Sequence, residues 1–208
     1  MSTPEFWDSR YAAAEYAYGT APNAGLLALE HLLPRGARVL VPGDGEGRNG
    51  VWLATRGHQV SVVDQSAEGL RKCALLATSH GVSVETVHAD LADYQPETAG
   101  YDALVLVFVH LPPEIRCSVH QRLLGALKPG GVLILEGFDR SHAGLPGGGP
   151  RDPAWLFDAA ALREDFAACA DLSIELIDAD LDEGPWHQGR ARVLRVFGRT
   201  CTNVAAPK

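Results

Sequence analysis

The chain is poor in cysteine and methionine and has no excess of basic charge. It has four cysteines in 208 residues, Cys73, Cys117, Cys169 and Cys201, widely spaced, with no C-x-x-C or Cys/His ligand pattern. A structural zinc site is therefore not expected, and the thiols are expected to be reduced. Lysine and arginine number 18 against 26 acidic residues, a net charge of −8, with no Lys/Arg run. That argues against a nucleic-acid partner, because phosphate binding needs a basic face. No apolar run approaches membrane-spanning length, and the start, Met1 to Trp7, lacks a charged region followed by an apolar stretch. The expectation is a cytoplasmic protein with no membrane partner. No internal repeat is evident. The apolar fraction of 46% is ordinary for a globular protein. A chain of this length reads by default as one domain, 1–208, able to bury a core without disulfides.

What is present is a glycine turn in a telling place. Ala37-Arg38-Val39-Leu40-Val41 is a short apolar run. Gly43-Asp44-Gly45-Glu46-Gly47 follows, and then an apolar-periodic stretch from Arg48 to Ala54. This is a strand, a tight turn and a helix, with glycines that let a ligand approach the main chain. Asp64 closes a second strand about 20 residues further on, where a carboxylate can accept from both hydroxyls of a ribose. The spacing is G-x-G-x-G. The dinucleotide spacing G-x-G-x-x-G would put its third glycine at Arg48, so a nicotinamide oxidoreductase is disfavoured.

The alternation continues in order. Strands are expected near 37–42, 59–63, 83–88, 102–109 and 132–137, and helices near 46–56, 66–80 and 113–127. Ser66 reads as an N-cap, and Gly57, Gly81 and Gly130 as residues that end helices. Parallel pairing with right-handed crossovers follows. Residues 4–34 read as two helices ahead of this core. Residues 139–157, rich in Gly and Pro, read as a lid loop. A helix near 158–168 and two alternating strands around the Gly184-Pro185 turn then read as an antiparallel edge hairpin.

Gly43 to Gly47, Asp64, Ala89-Asp90-Leu91, Tyr101 to Val105 and Leu127-Lys128-Pro129-Gly130-Gly131, in this order, make the chain resemble the class I S-adenosylmethionine (SAM)-dependent methyltransferases. The fold implied is α/β, a Rossmann-like doubly wound sheet, mostly parallel with an antiparallel C-terminal edge hairpin. The cofactor implied is SAM, with S-adenosylhomocysteine (SAH) as product. The resemblance places Gly43, Gly45 and Gly47 under the methionine and ribose, Asp64 on the ribose hydroxyls and Gln65 beside the adenine. It puts Asp90 on the adenine amino group and Leu91 N–H next to it. Val107 and Phe108 come under the sulfonium. The family's acidic residue two places before the first glycine is Val41 here, and Asp44 is the candidate to compensate.

Phe6-Trp7-Asp8-Ser9-Arg10-Tyr11, Tyr18 to Asn23, Gly45-Glu46-Gly47-Arg48-Asn49 and His110-Leu111-Pro112 sharpen the match. They are similar to small bacterial methyltransferases of the tellurite-resistance and thiopurine type. That resemblance implies N-terminal helices capping the pocket, with Trp7, Tyr11, Tyr18 and Asn23 toward the cofactor or acceptor and Arg48 and Asn49 at the loop. It implies a small-molecule acceptor with a soft thiol or chalcogen nucleophile.

Acceptor-side candidates follow from strand ends: His110, Glu136, Arg140 and His187, with Arg190 beside the last. His58, His80, His88 and His120 are expected to be solvent-exposed, and Cys73 to pack in the core. No carboxylate cluster for magnesium stands at the fourth strand's end, so methyl transfer is expected to be metal-independent. Two alternatives stay open: an O- or N-methyltransferase for a small molecule, and a SAM-binding regulatory protein without turnover. Oligomeric state is not readable from the sequence.

Overall fold

The computed structural model describes residues 3–202. Met1, Ser2 and residues from 203 on lie outside the described residues, so the outer ends of the expected 1–34 and 158–208 segments do too. The order is α1 (Pro4–Tyr11), α2 (Ala24–Leu29), β1 (Arg38–Pro42), α3 (Arg48–Thr55), β2 (Gln59–Asp64), α4 (Ala67–Ser79), β3 (Glu85–His88), β4 (Tyr101–Val107), α5 (Pro113–Leu124), β5 (Leu127–Phe138), α6 (Ala159–Asp165), β6 (Ser173–Asp182) and β7 (Gln188–Arg199).

The seven strands form one sheet in the order β3-β2-β1-β4-β5-β7-β6. The first five are parallel, because each crossover carries enough chain to return to the same end. β7 runs antiparallel to both β5 and β6, so the C-terminal hairpin closes the sheet with β6 at the edge. The fold class expected from the sequence is the one observed. β1, β4 and β5 bury nearly every residue, as strands covered on both faces must. Strand order reverses at β1, and that switch point opens a crevice at the strands' C-terminal ends.

Local signals act as expected in most places. Ser66 caps α4, its Oγ accepting from Gly69 N at 2.9 Å. That hydroxyl donates to Asp8 Oδ1, which pins α1 over the end of β2. Lys72, buried on α4, donates to the carbonyls of Ala13 and Glu15 at 2.9 and 2.7 Å and pairs with Glu46. One lysine thus anchors the stretch after α1 to the glycine loop. Gly130 departs from expectation. It ends no helix but lies inside β5 with φ of 76°, because α5 stops at Leu124 and the chain enters the sheet at Leu127. The 139–157 stretch is ordered by two short 3-10 turns, Arg140–His142 and Pro153–Trp155. Among the described residues no helix is long and apolar enough to cross a membrane.

Candidate active site

Gly43 at the end of β1, Asp64 at the end of β2 and Val107 at the end of β4 open onto a cavity of about 720 Å³. That is the size of a small-molecule cofactor site. Trp7 and Tyr11 of α1 and Leu145, Pro146 and Trp155 of the 139–157 segment also line it.

The glycine loop is shaped by what touches it. A Cβ on Gly45 would meet the Tyr11 hydroxyl at 2.4 Å, and one on Gly47 would meet Cys73 Sγ at 2.4 Å. Both residues have positive φ, 53° and 88°. Neither packing nor backbone admits a side chain there, so these two glycines are needed to lay the loop on α1 and α4. They do not line the cavity; Gly43, Asp44 and Glu46 do. Burial raises the Tyr11 phenol well above its ordinary range, with Asp64 next in effect, so it stays protonated.

At one end of the cavity stand Asp64, Gln65, Asp90 and Leu91. Asp64 Oδ2 accepts from Gly45 N and Oδ1 from Ser66 N, both at 2.8 Å. Burial nonetheless pushes its carboxyl up to about 6. A buried carboxylate with remaining acceptor capacity suits two ribose hydroxyls. Asp90 Oδ1 accepts from Ala92 N at 2.8 Å, which fixes the turn beside it.

Asp44 and Asn49 hold the start of α3. Asp44 accepts from Asn49 Nδ2 at 2.9 Å and Gly50 N at 2.7 Å, and burial raises it to about 6. Arg48 is buried and pairs with Glu183 at 2.8 Å, while its Nη1 has no partner among the described residues. Val41 is in the core, 1% exposed. An orphaned guanidinium nitrogen on one lining residue and a nucleoside-type carboxylate on another fit a ligand with a ribose at one end and a carboxylate at the other. SAM is such a ligand.

The far end is aromatic. The His187 ring centroid lies 4.5 Å from Tyr18, 4.4 Å from Phe108 and 5.4 Å from Phe138. Phe108 has φ of 54°, a conformation that a phenylalanine rarely adopts. The strained residue sits where β4 gives way to the cavity wall. Burial lowers the His187 pKa, and the nearby Glu183 opposes that effect.

The acceptor-side candidates are not brought together as expected. His110 lines the cavity, but both ring nitrogens are taken by backbone: Nδ1 with Trp155 O at 2.9 Å, and Nε2 accepting from Phe138 N at 3.1 Å. Burial pushes it down to about 4. It bolts the 139–157 segment to β5 and has no lone pair left for a substrate proton. Glu136 is buried in the sheet, accepting from Asn23 Nδ2 and Arg195 Nε, both at 2.8 Å, and it does not line the cavity. Arg140 is turned to the surface, its side chain 69% exposed, and pairs with Asp158. Arg190 is exposed too. Asn23 caps α2 and ties Glu136 to Glu183, away from the cavity. His120 is fully buried on Asp165, and His58 is buried as well, contrary to the expected exposure; His80 and His88 are exposed. The binding-side candidates Trp7, Tyr11, Tyr18, Gly43, Asp44, Arg48, Asn49, Asp64, Gln65, Asp90, Leu91, Val107 and Phe108 all line the cavity, with His187.

Several lining residues carried no sequence signal. Phe138 ends β5, Trp155 and Trp186 come from loops, and Arg10 stacks on Trp186 at 3.8 Å while donating to Tyr18 Oη at 2.9 Å. Glu183, just outside the lining, pairs with Arg48, which lies 135 positions away in sequence. Only its place beside the Gly184-Pro185 turn could have drawn attention to it.

A family model described as a methyltransferase domain matches residues 39–131. A thiopurine S-methyltransferase of Vibrio cholerae is 29% identical over 81% of this chain and 83% of its own. A tRNA 5-carboxymethoxyuridine methyltransferase of Escherichia coli is 32% identical over 63% of this chain and 62% of its own. Among solved structures, one from work on the conversion of a disulfide bond into a thioacetal group during echinomycin biosynthesis superposes with a TM-score of 0.77. It is 19% identical and covers 99% of this chain and 94% of its own. The Burkholderia thailandensis 1,6-didemethyltoxoflavin-N1-methyltransferase, solved with SAH, superposes with a TM-score of 0.60 at 23% identity, covering 86% and 76%. With that match, that fold and a cavity whose donors and acceptors suit SAM, the chain is similar to the class I SAM-dependent methyltransferases, which supports an enzyme with SAM as its cofactor.

Proposed function

We propose that the enzyme methylates a small molecule on a soft sulfur or chalcogen nucleophile. One observation carries this reading: the acceptor end of the cavity is walled by Tyr18, Phe108, Phe138 and His187, and the carboxylates nearest it are already committed. Glu136 is held by Arg195 and Asn23, and Glu183 by Arg48. An alcohol needs a strong base to become a nucleophile. A thiol, with a pKa of about 8.5, needs only alignment and a weak one. The thiopurine S-methyltransferase relative supports the same acceptor class.

When bound, SAM supplies an electrophilic methyl group on a sulfonium. Asp64 would accept from the ribose hydroxyls, Asp90 and Leu91 would hold the adenine, and Arg48 would take the carboxylate. The aromatic walls keep water out and present π faces to positive charge. The methyl group would pass to an acceptor sulfur, and the electron pair of the broken carbon–sulfur bond would stay with the cofactor. His187 takes the thiol proton at Nε2 and returns it to solvent. Alignment and exclusion of water contribute about 7–11 kcal/mol to such a step.

The test is an SAH-release screen over aromatic and aliphatic thiols, selenols, phenols, amines and tRNA. Thiols and selenols should turn over fastest, and His187→Ala should lower kcat for them with the Kd for SAH nearly intact. Phenols, amines or tRNA turning over while every thiol is inert would refute the acceptor class.

A further inference from the structure

Glu183 lies behind the cavity wall, between two residues that line it, Arg48 and His187. Its Oε2 lies 2.8 Å from Arg48 Nη2 and 3.6 Å from His187 Nδ1. Its Oε1 accepts from Asn23 Nδ2 at 3.0 Å. The Arg48 contact is a hydrogen bond; the His187 contact is too long to be one. Two buried polar atoms flanking this carboxylate are thus without a partner among the described residues, Arg48 Nη1 and His187 Nδ1. Both side chains are 7% exposed, and both residues line the cavity. Burial alone would raise the Glu183 carboxyl, but His187 and Arg48 hold it down at about 2, so it is a full negative charge that both neighbours compete for.

A buried guanidinium with a spare N–H calls for a second anion, and a carboxylate meets its fork best. Of the three arginines lining the cavity, Arg10, Arg48 and Arg151, only Arg48 is buried. SAM and SAH each carry one carboxylate, on the amino-acid tail.

We propose that Glu183 is a positioning residue coupling the cofactor end of the site to the acceptor end: a carboxylate taken up by Arg48 loosens Glu183 Oε2 from the guanidinium and lets it close on His187 Nδ1. The coupling rests on the reading of His187 as the acceptor-side group. The backbone is already set for it, with Glu183 N donating to His187 O at 2.9 Å and His187 N to Gly184 O at 3.2 Å. Only the side chain has to move, to bring 3.6 Å to about 2.9 Å. An Nδ1–H bonded to a carboxylate leaves the lone pair on Nε2, the nitrogen available to the cavity.

Every element packed on the imidazole bears on its charge. Arg48 comes from α3. Tyr18, with Arg10 at its hydroxyl, comes from the stretch after α1. Phe108 and Phe138 bring no charge. His110 and His142 each have both ring nitrogens bonded to backbone, and His142 acts on His187 in the same downward direction as Arg48. Burial lowers His187, Glu183 opposes that, and Arg48 adds to it. Neutralising Arg48 and drawing Glu183 closer both act upward, so the imidazole becomes a better base once the cofactor is seated.

The experiment is an NMR titration of the histidines in the full chain, free and with SAH. SAH should move the His187 titration upward by at least about half a pH unit. Glu183→Gln should abolish that movement, and Glu183→Asp should restore part of it. An unmoved His187 titration in the parent protein overturns the coupling and needs no variant. An equal SAH response in Glu183→Gln overturns it as well. If SAH raises the titration in the parent while His187→Ala keeps full thiol turnover, the coupling stands and the acceptor role of His187 fails.

Discussion

Replacing Asp64 tests the cofactor end of the cavity most directly. Its two oxygens accept from Gly45 N and Ser66 N at 2.8 Å, and their remaining lone pairs would take the ribose hydroxyls. Hydrogen bonds to a charged group contribute about 1.5–3 kcal/mol each, and part of that remains as water bonds when the partner is lost. Asp64→Ala should therefore weaken SAH binding by about 2–3 kcal/mol, or roughly 30–150-fold. It should also lower folding stability, because two buried N–H groups lose their acceptor. Asp64→Asn keeps the shape and one acceptor oxygen, so its loss should be smaller. Isothermal calorimetry with SAH gives the affinity, and thermal unfolding gives the stability.

The raised carboxyl, at about 6 before ligand binds, adds a pH signature. Protonated Asp64 has lost acceptor capacity, so SAH affinity should fall as pH drops below that value, about tenfold by pH 5. For folding the sign is opposite. A carboxyl raised in the folded state contributes stability below its unfolded pKa of about 4, lost as pH rises through about 6. Asp44, raised similarly, titrates in the same window, so the comparison needs Asp64→Asn, in which the Asp64 share is gone. An Asp64→Ala protein that is folded and binds SAH within about threefold of the parent would refute the assignment.

Three further outcomes follow from the same geometry. His110→Ala should cost about 2–4 kcal/mol in denaturant unfolding, because it leaves Phe138 N and Trp155 O unpaired and opens a cavity under the 139–157 segment; a base role predicts a loss of turnover with stability intact. Glu136→Ala should destabilise by about 3–5 kcal/mol by stranding Arg195 and Asn23, read by the same unfolding curves, whereas Arg140→Ala should change stability and turnover little. Turnover should survive EDTA; activity that disappears with the chelator and returns with magnesium would show a metal requirement.

Much of the cavity wall around the glycine loop was legible because its signals are local. A G-x-G-x-G turn between an apolar run and a periodic stretch is a strand-turn-helix whatever lies elsewhere. An acid at the next strand's end faces the same crevice once the strands are parallel. Residues from Gly43 to Phe108 could be placed on this logic. The tight loop packing was not legible, since Tyr11 on Gly45 and Cys73 on Gly47 are meetings of separate elements. Gly130 was misplaced for a related reason: a glycine after a helix and a glycine within a strand look alike until the strand's register is known.

Which of His110, Glu136, Arg140 and His187 is free to face the cavity was decided by tertiary structure. Histidine, glutamate and arginine near strand ends are equivalent in a sequence, and only the partners each finds separate them. Backbone groups claim both nitrogens of His110, Arg195 and Asn23 claim Glu136, and solvent claims Arg140. His187 faces the cavity because the hairpin turn folds over Phe108 and Tyr18. Glu183 gained its place only because Arg48, 135 positions earlier, packs beside it. By itself the sequence determined the alternation of strands and helices, the glycine loop after β1 and the carboxylate at the end of β2, since these depend on neighbours along the chain. The free or committed state of each polar side chain depends on neighbours in space, and only the folded protein brings those together.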